Sequence, residues 1–283
     1  MLGLTVAVSI SSMVFQNCIF NNVSKKELKS NESIYKYNIF IYCVCLLLFG
    51  VMMIKEGMSL YTLTLGLVFG VVTALSNFYK VLSLSKGPMH ITLLVTTSSM
   101  IIPTLSGVFF GETFSMTKLC FVFVLIFFVY LSLDRTSDKS INKSWLICCM
   151  IAFVMQGTIG VLQKIHQTSD CKNELNFFLF VSFCCSAIFN RIRIKGKFSD
   201  IKLGKKTMLL ALFCGVCTYL NNFLNLKLSG LIPSQVFFPL VNGSTIVLCS
   251  LASVIIFKEK LTKIQVIGLC GGILSLVAIC MVK

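Results

Sequence analysis

Few side chains in the apolar parts of this chain can do chemistry, and their types narrow what that chemistry is. The apolar runs hold the amides Gln16, Asn17, Asn77, Gln156, Asn221 and Asn222, the cation Lys80, and no Asp or Glu. An amide both donates and accepts hydrogen bonds, so such a set suits a neutral polar or zwitterionic solute of the amino-acid or sugar type. The same amides could instead tie helices together. A buried carboxylate is the usual device for binding a lipophilic cation or relaying a proton, and its absence argues against a cation-extruding pump. Glu56, Glu112, Glu259, Asp134, Asp170 and Glu174 all fall at run ends or in loops. Hydrolytic chemistry finds no constellation: His90 and His166 are far apart, and there is no Ser elbow. Cys214 and Cys217 have CxxC spacing, but no second pair completes a metal site. No metal, no cofactor and no enzymatic reaction is expected.

Lys80 follows Tyr79 just before the end of its apolar run at Leu84. From there it could snorkel to the interface or bind a substrate carboxylate or phosphate. Two further polar clusters, Thr96-Thr97-Ser98-Ser99 and Asn242-Gly243-Ser244-Thr245, share their runs with the interior prolines Pro103 and Pro239. Each proline removes a helical hydrogen bond, freeing the carbonyl of Ser99 and of Gln235 respectively. Hydroxyls beside a kinked backbone make a candidate substrate cradle, with the prolines as structural hinges; relief of the kink by Ser and Thr is the alternative. The candidate cavity therefore comprises Gln16, Asn77, Tyr79 and Lys80, then Thr96, Thr97 and Gln156. Tyr219, Asn222, Gln235, Asn242, Ser244 and Thr245 complete it.

The elements holding these groups are set by composition. Of 283 residues, 56% are hydrophobic and only 12% charged, and the mean hydropathy is +0.90. A soluble domain carries about 25% charged residues to wet its surface. The chain is therefore expected to be an all-α integral membrane protein. A helix crosses ~30 Å of hydrocarbon with about 20 apolar residues. Ten windows qualify, at 2–20, 35–54, 60–84, 88–110, 116–133, 145–165, 175–190, 207–229, 233–257 and 262–282, the seventh being the shortest. The runs are continuously apolar, which excludes a β-barrel. The first lacks a basic leader and a small-residue cleavage site, so it does not read as a signal peptide.

The net charge of +15 sits almost entirely between or at the ends of these runs, which makes it a topology signal and not a nucleic-acid surface. Loops after the odd-numbered runs hold 18 basic residues against six on the other side. The positive-inside rule then puts both termini outside. The densest stretch, Arg191 to Lys206, suits anionic lipid head groups. The 14 Cys sit largely in apolar runs, where Cys behaves as a small hydrophobe.

The chain also repeats itself. GVVTALSNF from Gly70 matches GVCTYLNNF from Gly215 at six of nine positions, placing Asn77 opposite Asn222. Upstream, Gln16 corresponds to Gln156; downstream, Phe110-Gly-Glu112 corresponds to Phe257-Lys-Glu259. All four Pro lie in runs 4 and 9, the same run of each copy. Residues 1–134 and 135–283 thus read as two five-helix units, and an odd span count turns the second upside down. Inverted repeats with a midplane site are the architecture of alternating-access carriers. Small-residue faces at Gly66xxxGly70 and Ala211xxxGly215 suit close helix packing. Gly268xxxGly272 in run 10 has no counterpart in run 5 and offers a homodimer contact.

The five-helix repeat, its Pro-bearing fourth helix and the Glu after it resemble the EamA-type drug/metabolite transporter superfamily. The second copy carries the resemblance most clearly, in PSQVFFPLVNGS from Pro233, FKEKLT ending at Thr262, then Gly268 and Gly271-Gly272. It departs in spacing: Pro103 lies nine residues before Glu112, whereas Pro239 lies 20 before Glu259. The resemblance implies ten helices in a bacterial-type inner membrane and a small-metabolite carrier, with a central cavity lined by runs 1, 3, 4, 6, 8 and 9. It also implies cytoplasmic termini, against the charge count. Glu112 and Glu259 are expected to support the N-termini of runs 5 and 10. Competing readings are a flippase for a lipid-linked head group and a non-transporting membrane sensor or enzyme.

Overall fold

The structure is a computed structural model describing residues 2–112, 115–131, 143–198, 200, 203–256, 258 and 262–281. Every element among them is helical: α1 Leu2–Lys26, α2 Asn31–Met52, α3 Leu60–Lys86, α4 Met89–Thr97, α5 Ile101–Ser106 and α6 Met116–Leu131. The second half continues with α7 Lys143–Thr168, α8 Leu175–Arg193, α9 Lys205–Ser229, α10 Ser234–Phe238, α11 Ser244–Ile255 and α12 Lys263–Met281.

The starts follow from local chemistry. Ser30 and Ser33 form a reciprocal capping box at α2, and the Ser59 hydroxyl caps α3. Pro88 and Pro233 stand at the N-caps of α4 and α10, where a missing N–H costs nothing. Interior prolines have the opposite effect. The fourth run tightens into a 3-10 turn at Ser98–Met100 before α5, which contains Pro103. In the ninth, Pro239 opens a π-helical turn, Pro239–Gly243, between α10 and α11. Gly111, at φ +70, ends the fourth run in a left-handed conformation that a Cβ would strain.

Eight helices, counting each broken run once, are long and apolar enough to cross a membrane. The apolar cores of α6 and α12, Met116–Phe128 and Val266–Ile279, are shorter. The seventh run, shortest in the sequence, extends to Arg193 and passes. The described part of α6 has 16 residues. Leu47, Phe109, Ile192 and Leu274 are exposed, as suits a lipid-facing surface. The molecule is an all-helical, multi-pass integral membrane protein.

The main helix pairings recur when the first five runs are exchanged with the last five. α3 lies along α7 and α8, and α9 lies along α1 and α2. α2 pairs with α8 and α6 with α12, each with its own counterpart. The broken runs cross, α4 meeting α11 and α5 meeting α10. Small residues permit these approaches. A Cβ on Gly70 would strike the Ser182 carbonyl of α8, and one on Gly215 would strike Val44 of α2. The boundary between the expected units, 134/135, lies outside the described residues. In α12, Gly268 and Gly272 are buried, and Gly271 abuts Phe128 of α6.

Candidate functional site

A cavity of about 90 Å³ lies where the halves meet. Its lining comes from the first, third, fourth, sixth, eighth and ninth runs. α3 presents Thr73, Ser76, Asn77 and Lys80; α9 presents Thr218, Asn221, Asn222 and Asn225. Each set has the i, i+3, i+4, i+7 spacing of one helical face. In the repeat register the two sets correspond position for position, with Lys80 opposite Asn225. α7 adds Gln156, Ile159, Gly160 and Gln163 at the same spacing, and α1 adds Met13, Gln16 and Asn17.

Several of these groups already hold one another. The Gln16 amide donates to Thr218 Oγ1 at 2.7 Å, and Ser9 Oγ to Asn225 Oδ1 at 2.5 Å. Asn225 donates to Asn221 Oδ1 at 2.6 Å, and Asn77 to the Tyr42 hydroxyl at 3.0 Å. Other groups are left over. Gln156 Oε1, Asn17 Oδ1 and Thr73 Oγ1 are buried with no hydrogen-bond partner, which is costly unless something else supplies one. Lys80 does not reach the interface: it is 6% exposed and lines the cavity.

The remaining candidates divide. Asn222 and Asn242 line the cavity while bonding back to the carbonyls of Thr218 and Phe238, and Pro103 lines it too. Thr96, Thr97, Tyr79, Tyr219, Gln235, Ser244, Thr245 and Pro239 lie outside the lining. Thr96 and Thr245 turn their hydroxyls onto their own helices, at Thr92 and Val241, the kink relief that competes with substrate contact. Tyr219 packs on Phe49 and Phe223, and Tyr79 on Phe78. Gln235 accepts from the Ser115 N–H at 3.1 Å. Thr73, Ser76, Gln163, Thr218 and Asn225 were missed; the signal was the seven-residue polar stripe around each chosen amide.

Beyond one end of the cavity, Glu112 pairs with Lys164, and both side chains are largely buried. Glu112 also accepts from the N–H of Ser234 at 2.7 Å and its hydroxyl at 3.1 Å, while Lys164 donates to the Ser229 carbonyl at 2.9 Å. The carboxylate thus supports the start of α10, a contact across the halves that the sequence reading did not include. Its counterpart Glu259 lies outside the described residues. Two further carboxylates tie helix ends across the halves. Glu56 accepts from the N–H groups of Asn176 and Phe177 at the start of α8. Glu174 accepts from the N–H and hydroxyl of Ser59 at the start of α3. Burial works to raise the Glu174 carboxyl, but the hydrogen bonds of Ser59 and Thr62 and the nearby His166 outweigh it, holding it below the usual range. Among the described residues no group of His, Cys, Asp and Glu could hold a metal, and the Cys are free thiols. Cys214 and Cys217 are buried in packing.

Residues 143–281 match the model of the EamA-like transporter family. No curated protein matches the chain. A solved protein described only as a "crystal structure of protein" shares the fold at a TM-score of 0.73 and 10% identity, over 99% of both chains. The second half of this chain is therefore similar to the EamA-like transporter family, which suggests a membrane transporter of the drug/metabolite type.

Proposed function

We propose that the chain is a secondary carrier of a small neutral polar or zwitterionic metabolite, of the amino-acid or sugar type. It moves by alternating access between two inverted repeats. The observation carrying this reading is the pair of matched polar faces, Thr73 to Lys80 and Thr218 to Asn225, turned on one cavity from opposite halves. A carrier must offer equivalent groups to both membrane faces, and a duplicated stripe does so. The broken helices beside Pro103 and Pro239 serve as hinges, because freed backbone at membrane depth is tolerated only where protein or a wet cavity covers it.

The charge count places both termini outside, and the basic segment from Arg191 lies against anionic head groups. A C-terminal alkaline phosphatase fusion is then active.

The test is flux of a labelled panel of amino acids and sugars into proteoliposomes holding the full chain. Asn77→Leu and Asn222→Leu each remove a lining amide and are expected to cut saturable flux by about tenfold or more. Undiminished flux in both variants overturns the site assignment.

A further inference from the structure

We propose that Lys80 is the receptor for a carboxylate on the transported solute. The inference rests on the carrier reading above and redraws its substrate class around a carboxylate, whether on a zwitterion or on an organic anion. Lys80 is nine-tenths buried within the membrane-spanning helix α3, and its side chain lines the cavity. Among the described residues its ammonium has no hydrogen bond and no ion pair; it stands over the Phe20 ring, 6.0 Å from Nζ to centroid. Burying an unpaired charge costs several kcal/mol, and intramembrane cations normally find a partner or face a water-filled cavity. The protein supplies no anion here. Every other polar group on the lining is a neutral amide or hydroxyl, and Lys164, the cation beyond the far end, is committed to Glu112.

The charge balance selects the ligand. One ammonium neutralises one carboxylate, whereas a phosphate dianion would leave a net negative charge buried against amides. The repeat register sharpens the point, because the position equivalent to Lys80 is the amide Asn225. The cavity thus has a cationic end and a neutral end. A solute with its carboxylate on Lys80 would turn its polar body toward Gln156, Asn221 and Asn225. A zwitterionic amino acid and a hydroxy acid share that carboxylate.

The experiment compares wild type, Lys80→Met and Lys80→Arg full-length protein with labelled serine, lactate and glucose as probes. Flux is read in proteoliposomes and ligand-induced melting shift in detergent. Serine or lactate, or both, are expected to be carried and to raise the melting temperature. Lys80→Met is expected to lose at least about tenfold of that flux together with the shift, and Lys80→Arg to keep part of both. Serine without lactate identifies a zwitterion site; the reverse identifies an organic-anion site. Lys80→Met, close in volume and free of the charge, is expected to melt no lower than wild type, so loss of flux is not loss of fold.

Carboxylate-induced shifts that need Lys80 but bring no flux would uphold the receptor and overturn the carrier. Saturable flux of any probe that Lys80→Met leaves intact would uphold the carrier and overturn the receptor. No shift and no flux with any probe would overturn both.

Discussion

Gln16 and Thr218 show how a lining side chain can be structural and functional together. Their 2.7 Å bond joins α1 to α9 across the halves while both residues face the cavity. Gln16→Leu or Thr218→Val leaves a buried partner unsatisfied, at about 1–3 kcal/mol. The double variant is expected to cost less than the sum of the singles, read by melting in detergent. Glu174 supplies a pH signature. Its carboxyl is held below its unfolded value, so its contribution is present at neutral pH and fades as pH falls through and below the carboxylate range. Glu174→Gln should flatten that acid limb of the melting profile. At this scale the sequence was a good guide to which residue types mattered and a poor one to direction. Asn77 and Asn222 stood out by repetition, but nothing along the chain says that Thr96 turns back onto Thr92 while Ser99, three residues on, faces the cavity. That choice is made by the 3-10 turn at Ser98–Met100, a tertiary effect of packing α5 against α7.

Helices here are located by their ends as much as by their faces. Glu112, Lys164, Ser234 and Ser229 tie the ends of the fourth, sixth, eighth and ninth runs into one buried knot. Removing one member of a buried pair strands the other. Glu112→Gln and Lys164→Met are each expected to lower stability by about 3–5 kcal/mol, and the double variant to recover much of the loss. Melting of the three proteins side by side decides it. Close packing gives a second expectation: Gly70→Leu drives a side chain into the Ser182 carbonyl and Cys185. It should cost at least about 1–3 kcal/mol through separation of α3 from α8. The small-residue faces and Pro breaks were legible because Gly and Pro act locally. The target of Glu112 was not, since its nearest helix along the chain is α6 and its partner in space is 122 residues away.

Across the whole molecule, the main helix pairings of one half recur in the other. Under the proposed alternating access, the knotted end must come apart once per cycle. A Cβ built on Gly107 lies 3.0 Å from Ser234 Cβ and closer still to the Glu112 carboxylate; a disulfide spans about 3.5–4.5 Å, so the bond closes there once the ends ease apart slightly. Oxidised Gly107→Cys/Ser234→Cys protein is expected to bind substrate yet lose flux, with recovery on reduction and the crosslink verified by mass spectrometry. Full flux with that bond closed would mean these ends never part. The mismatch between Lys80 and Asn225 has one more consequence. If Lys80 is the receptor we propose, the carrier grips its cargo by a fixed handle, so every passenger would board and disembark with the same heading, head first one way and tail first on the return.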